Sequence, residues 1–522
     1  MSISAFLCSF WSLDSDEVKQ ISTAIFLVSV VTFALFWFRS KVRRPSLPPG
    51  PRGLPLVGYL PFLLRNIHRT FADLAEIYGA VFKLRIGNKL CVVLNSPSSI
   101  NEAFRHHETV FPNRDTTVCA LLCSYDGSGI VFTQDGDDWK KLRKIFVRKM
   151  LSKSFLDASY SVRRQEVRKV IKGVFESAGT PIDIGKVGFL ATMKSVLAMT
   201  WGDSGRLIGE DGIDLDVKFR AVMDELAVLL GTPNLSDIFP ILGWFDLQGI
   251  ASRTKKAMRV CDEILNTAIE EQRKTGGNGV VKGGYLQLLL ELEDDQDNSN
   301  PITDDQLKAL LLDMVIGGTK TTVTTIEWAM AELMQHPNTM KKVKEELREV
   351  VGLDAAAEES HMPKLSFLNA VVKETIRLHP PIFLLVPRSL TSTITLEGYS
   401  IPKGSAMYCN IWAILRDPKV WENPLKFMPE RFLNEGGGKY ELGGSAMEFS
   451  PFGYGKRSCP GIPLAERMLM LILASLLHAF EWELPQHSVL DFDEKFGVVN
   501  KKLNPLVAIP TPRLSNLDLY LV

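Results

Sequence analysis

The sequence predicts a mainly α-helical fold with small β-sheets, preceded by one N-terminal transmembrane helix. Three observations carry this reading: an uncharged apolar run with a basic flank near the start, helical periodicity over most of the remainder, and a few short strand-like pieces. At 522 residues, 46% of them hydrophobic, the chain can bury a large core. Lys+Arg and Asp+Glu both number 60, a balance that gives no reason to expect nucleic acid as a partner.

Residues 1–20 read as a short lumenal N-terminus. The run Ile21 to Phe38 is about as long as the minimum that crosses a bilayer as a helix. Arg39, Lys41, Arg43 and Arg44 follow it and Asp14, Asp16 and Glu17 precede it, which places the following domain in the cytoplasm under the positive-inside rule. A cleaved signal peptide would instead carry its basic cluster ahead of a shorter run. Residues 39–55 are a basic, proline-rich hinge, in which Pro45, Pro48, Pro49 and Pro51 rule out continuation of the helix. Residues 56–522 show no repeat and no long linker and read as one folded domain.

Seven cysteines scattered through so long a chain point to a reducing compartment. Cys119 and Cys123 form the one close pair, with no second pair or His cluster nearby to complete a zinc site. The sequon Asn234-Leu235-Ser236 would be used only in a lumenal domain. Strand-like pieces are Val81 to Ile86, Leu90 to Leu94 and Ile394 to Ile401. Gly276 to Gly284 and Glu293 to Asn300 read as surface loops around one short helix. Thr303-Asp304-Asp305-Gln306 is a capping box that opens a long apolar helix to about Gln335, ended by His336-Pro337. Met468 to Leu477 is too short to span a membrane and reads as a core helix.

The segment Phe452-Gly453-Tyr454-Gly455-Lys456-Arg457-Ser458-Cys459-Pro460-Gly461 carries F-x-x-G-x-R-x-C-x-G. By average residue usage that pattern arises by chance in about one chain in ten thousand. It resembles the haem-binding signature of the cytochrome P-450 monooxygenases, which implies the cytochrome P-450 fold, haem b as cofactor and Cys459 as the iron ligand. Cys459 precedes a helix beginning near Pro463, whose N-terminal N–H groups and dipole favour a thiolate. Gly453, Gly455 and Gly461 let backbone approach a flat macrocycle. Phe452, Gly453, Arg457 and Gly461 are the other cofactor-binding candidates of the loop, Arg457 toward a propionate.

Further motifs fall in the order that the resemblance requires. Glu374 and Arg377 form E-x-x-R on one helix face, and Arg431 lies in Pro429-Glu430-Arg431-Phe432 downstream. The resemblance implies that these three make a buried, structural charge network. Trp139 and Arg143 match W-x-x-x-R, and with Arg388 are implied to reach the propionates. Their helix is unusually basic, with Lys140, Lys141, Lys144, Arg148 and Lys149, which suits either a solvated face or a docking surface for an acidic redox partner.

Gly317-Gly318-Thr319-Lys320-Thr321-Thr322 aligns with the family's [AG]-G-x-[DE]-T-[TS] on the oxygen side. Gly318, Lys320 and Thr321 are the catalytic candidates, Thr321 beside bound dioxygen. Lys320 departs from the pattern: a cation stands where the family carries an acid. Either Lys320 sits on the solvent side, or Asp313 or Glu327 supplies the carboxylate, or the reaction needs less proton delivery; restoring an acid by Lys320→Asp is expected to improve coupling. Met314, Gly317, Ile382, Phe383, Leu384, Val386 and Val498 are the candidate pocket residues, in regions matched to the family.

The resemblance is to the plant microsomal branch, and within it to hydroxylases of sesquiterpenes such as cadinene. It implies a monooxygenase of the endoplasmic reticulum membrane, single-pass with a cytoplasmic catalytic domain. Its electrons would come from an NADPH-dependent flavoprotein reductase, and its partners would be a small apolar substrate and membrane lipid. Two alternatives stay open at this point: a haem-thiolate dehydratase or isomerase, for instance on an aldoxime, and a catalytically degenerate haem-binding membrane protein.

Overall fold

In the computed structural model, residues 30–31, 46–63, 66–202, 215–275, 284–294, 300–433, 439–444 and 446–521 are described. Of the predicted anchor only Val30 and Val31 fall among them, both helical; the basic cluster and most of the two surface loops lie outside the described residues. The elements that position the site are, in chain order, α1 (Ile67–Tyr78), β1 (Val81–Ile86), β2 (Lys89–Leu94), β3 (Asn113–Arg114), α2 (Val118–Cys123), α3 (Asp137–Ile145), α4 (Ile184–Trp201), α5 (Leu215–Gly231), α6 (Ile250–Thr275), α7 (Asp304–Gln335), α8 (Ser366–Leu378), β4 (Arg388–Ser389), β5 (Ala406–Cys409) and α9 (Ile462–Ala479).

Helix α7 is the axis of the molecule. Its start is fixed by reciprocal capping, in which Thr303 Oγ1 accepts from the Gln306 amide at 3.2 Å and Gln306 Oε1 accepts from the Thr303 amide at 3.3 Å. Its end is fixed by Pro337, which opens the next helix. Apolar residues lie all round α7 because neighbours cover it on several sides, α4 and α9 foremost. Helix α9 is, among the described residues, the one helix long and apolar enough to cross a membrane. Its side chains from Met468 to Ala479 are instead buried in the protein, so it is a core helix.

A five-stranded sheet in the order β1-β2-β5-β4-β3 forms a second layer, with β2 and β5 parallel and the other pairs antiparallel. One face packs Phe71 and Leu74 of α1 against Phe82, Leu84 and Val93 in a core of its own. The piece Ile394 to Ile401 is not one strand. It is a hairpin of Ile394–Leu396 on Tyr399–Ile401, turned at Glu397-Gly398, both with left-handed φ. Apolar alternation runs through the turn and hides it from a pattern reading.

Helix α8 carries Glu374 and Arg377 into full burial, each side chain 0% exposed. Arg377 Nε and Nη2 donate to the two Glu374 oxygens at 2.7 and 2.8 Å, and its other N–H groups reach the carbonyls of Leu415, Pro424 and Lys426. Arg431 Nε and the Met428 amide donate to Glu374 Oε1 at 3.1 and 2.8 Å. Trp421 lies under both guanidiniums. The carboxylate thus ties α8 to the segment that runs up to the cysteine loop. Glu374→Ala leaves two guanidiniums without their carboxylate and is expected to destabilise the protein by about 3–5 kcal/mol, read as a lowered midpoint in chemical denaturation.

Candidate active site

The cysteine loop is held open by its backbone. Gly453 adopts φ +83°, a conformation that side-chain-bearing residues rarely tolerate, and Gly455 lies at φ +64°. The Cys459 amide donates to the Phe452 carbonyl at 2.8 Å, closing the loop, and α9 begins three residues later with Pro463 in its first turn. Cys459 lies deep among protein atoms yet keeps accessible surface, so it borders an internal space. The Gly461 N–H donates to its sulfur at 3.3 Å.

The electrostatics of the thiol differ from the simple expectation of a helix N-terminus. Burial pushes the Cys459 thiol up, and the Gly461 N–H and the Arg143 charge only partly oppose it. Burial thus favours the neutral thiol here, whereas coordination to a metal ion deprotonates a thiol outright.

Around the loop stand four guanidiniums. Arg457 donates to the carbonyls of Pro112, Ile130 and Thr133 and stacks on Trp139, 4.0 Å from the ring centroid. Arg143 donates to the Ser458 carbonyl at 2.6 Å, and Arg388 to the Tyr454 carbonyl at 2.7 Å while lying over Phe104. Arg114 donates to the carbonyls of Val131 and Val386. Strands β3 and β4 set Arg114 directly opposite Arg388. Burial and mutual repulsion depress the basicity of the cluster: Arg114 is pushed down by burial and by Arg388, Arg457 and Arg143, and Arg457 to about 10 by burial and Arg388. Among the described residues no carboxylate lies within 4 Å of any of the four. Carbonyl dipoles solvate these cations, and Glu108 and Asp135 act on Arg388 and Arg457 only from beyond pairing distance, so the cluster keeps a net positive charge.

Arg114 is absent from the sequence reading. No motif marks it, and only the pairing of β3 with β4 shows its place. Trp139 joins the cluster through its ring and through an indole N–H donated to the Ile130 carbonyl at 3.2 Å.

On α7, Gly317 is exposed in mid-helix, and a Cβ there would meet nothing within 4 Å, so open internal space adjoins it. A Cβ on Gly318 would make ordinary contact with Val196 of α4, so that glycine faces a packed helix. Thr321 Oγ1 donates to the Gly317 carbonyl at 2.8 Å. Met314 is buried one turn earlier. Lys320 points elsewhere: its ammonium is paired with Asp224 of α5 and lies 4.5 Å from the ring centroid of Phe189 on α4.

Neither spare carboxylate stands in for the missing acid. Glu327 accepts from the Leu506 amide at 2.9 Å, near Asp183, and burial pushes it up. Asp313 accepts from the Ile130 amide at 2.6 Å, which ties α7 to the loop before α3.

The apolar run 382–386 divides its duties. The Phe383 ring meets that of His68 at a tilt of 36°, 3.9 Å between centroids, and with Leu384 it is buried in the core of the sheet layer, so these two side chains are core where a pocket wall was expected. Ile382, Leu385 and Val386 are half-buried. Leu385 has φ +53°, and its side chain lies 3.5 Å from where a Cβ on Gly453 would be. Val498 is half-exposed, its amide against the end of α5 at Gly231.

The family model described as Cytochrome P450 matches residues 48–509. Cytochrome P450 84A1 of Arabidopsis thaliana is 36% identical over 96% of this chain and 98% of its own length. Sugiol synthase of Salvia miltiorrhiza is 35% identical over 93% and 98%, and flavonoid 3',5'-hydroxylase of Solanum melongena 34% identical over 96% and 97%. A zebra fish cytochrome P450 structure with progesterone superposes with a TM-score of 0.72 at 26% identity, covering 85% of this chain and 99% of that one.

Asp313 supplies a pH test of the loop tie. Burial raises its carboxyl to about 7, with the Ile130 and Val131 amides pulling the other way. The folded chain keeps a proton that the unfolded chain releases above the ordinary value of 3.8. This group therefore makes the protein less stable as pH rises from about 4 to about 7, by at most about 1.4 kcal/mol per pH unit. Denaturation midpoints of wild type and Asp313→Asn, compared across that window, should show the wild-type curve falling more steeply.

Proposed function

Because the chain belongs to the cytochrome P450 family and is a haem monooxygenase of plant secondary metabolism, we propose that Cys459 ligates the iron and that a small apolar metabolite, a terpenoid or a related phenolic, is hydroxylated in the space beside Gly317. The observation that carries the assignment is a thiol bordering an internal space together with four guanidiniums that, among the described residues, have no carboxylate paired to them.

Haem b fits these residues. Its two propionates answer the charge of Arg114, Arg143, Arg388 and Arg457, its iron answers the sulfur of Cys459, and Gly453 with Phe452 and Gly461 lets the backbone approach its face. Bound haem supplies dioxygen activation, with a thiolate ligand favouring O–O cleavage. The Gly461 N–H at Cys459 Sγ withdraws density from the sulfur and sets how much it donates. Thr321 donates its one hydroxyl proton to the Gly317 carbonyl, which leaves its oxygen lone pairs free to accept a hydrogen bond from a water and so position that water. Met314, Ile382 and Val386 give the substrate space an apolar lining that excludes water. Glu374, Arg377 and Arg431 hold the scaffold and touch no reacting atom.

Electrons come from an NADPH-dependent flavoprotein reductase. Lys140 and Lys144 are exposed on the helix whose Arg143 reaches Ser458, Arg148 and Lys149 on the π-helical turn Phe146–Met150 that continues it, and Lys456 in the cysteine loop itself. That basic face suits an acidic partner. The catalytic domain, residues 56–522, sits on the endoplasmic reticulum membrane behind an anchor at 21–38 and a hinge at 39–55, with residues 1–20 lumenal. Supporting this, Leu56 is 82%, Ile241 84% and Trp244 94% exposed. Leu56 on one side and the segment of Ile241 and Trp244 on the other flank the β1–β2 turn, where Gly87 bonds Val57 and lies against Ile238, and lipid headgroups and upper acyl chains suit such a surface. The dehydratase reading drew on Lys320, which is engaged with Asp224 and not with the oxygen side.

In a reconstituted system with reductase, isotopically labelled dioxygen should place label in the product of a terpenoid substrate; product without label, formed equally under nitrogen, overturns the monooxygenase assignment. Lys144→Glu with Arg148→Glu should raise the KM for reductase about ten-fold at low salt, and the difference should shrink at high ionic strength.

A further inference from the structure

Lys320 is the one position where this chain reverses the charge of its family's oxygen-side motif, and the structure shows what the cation does instead. Its ammonium crosses from α7 to Asp224 of α5 and passes over the Phe189 ring of α4. Arg220, one turn before Asp224 on α5, lies over the same ring at 5.4 Å. Phe189 is therefore a wedge where three helices meet, with a cation from α5, a cation from α7 and a single carboxylate among them. Lys501 is near enough to feel both Lys320 and Asp224.

Helix α5 rests mainly on α6 and α2, not on α7. Its far end, Gly231, abuts Val498. Held at its back and its far end, α5 stands as a roof on the side of α7 that carries Lys320, three residues from Gly317, and the Lys320–Asp224 pair is its ion pair to α7 among the described residues. We propose that Lys320 and Asp224 are a positioning pair that fixes α5 over α7 and so sets the height and the residence time of substrate in that space. The inference rests on the reading of that space as the substrate site. It removes the need for Lys320 in proton delivery, and it reverses the expectation for Lys320→Asp: the new carboxylate would face Asp224 and push the roof away.

The pair is half-exposed, so its loss shifts an equilibrium by up to about five-fold and does not unfold the domain. The test uses the full-length haem-loaded protein, with 4-phenylimidazole as a probe that combines an iron-binding nitrogen with an apolar ring. In Lys320→Gln and Asp224→Asn, amide exchange of residues 217–231 should rise about two- to five-fold and the probe should dissociate faster by a similar factor. Lys320→Asp should exceed both. Lys320→Arg should retain wild-type values, and the swap Lys320→Asp with Asp224→Lys should return toward them. In turnover the single variants should raise KM with little change in kcat. Unchanged exchange in the single variants, or a swap no better than Lys320→Asp alone, overturns the pair while leaving the haem assignment standing. Failure of the wild type to bind 4-phenylimidazole overturns the reading of the space, and is recognised separately because the exchange rates need no probe.

Discussion

Four guanidiniums gathered at the cysteine loop, two buried and two half-buried, with no carboxylate paired to them among the described residues, are the constraint on which the active region depends. Arg114, Arg143, Arg388 and Arg457 come from β3, α3, β4 and the cysteine loop, segments up to 343 positions apart. Each is held by carbonyl oxygens, which fix its direction but do not neutralise it. Desolvating like charges together is costly, and an anion binding there recovers that cost for all four segments at once.

The Glu374 network is the opposite case. There one carboxylate takes donors from two arginines and an amide, and Arg377 places its remaining N–H groups on carbonyls. Its charges are balanced inside the protein to within one positive unit, so the network asks nothing of a ligand. The two arginine-rich clusters look alike in composition. Charge accounting separates the one that holds the scaffold from the one that awaits an anion.

Helix α7 serves both layers by sending its charged residues in different directions. Asp313 turns toward the loop before α3 and takes the Ile130 amide, whose own carbonyl accepts from Arg457 and Trp139. Lys320 turns toward α5. Between them Gly317 carries no side chain and leaves the space beside the helix open. A long, well-capped helix is stiff enough to serve as this common reference for loop, roof and cofactor face.

Local chemistry made much of this legible. The capping box at Thr303 and the proline at 337 set both ends of α7, because capping acts over three or four residues. The ten-residue loop around Cys459 is likewise a local object, as is the E-x-x-R pair one helical turn apart. The hairpin at 394–401 was blurred because its apolar pattern crosses the turn. What the sequence could not determine are contacts between distant segments: Arg114 against Arg388, Phe383 spent on His68, and above all Asp224 reaching Lys320 across 96 positions. The sequence by itself determined the helix ends, the cysteine loop and the presence of a cation at position 320, since residue identity and short-range hydrogen bonding suffice for those. Only the tertiary structure decided where that cation points and which arginines lack a counter-charge, because burial and pairing are properties of neighbours that the chain brings together only on folding.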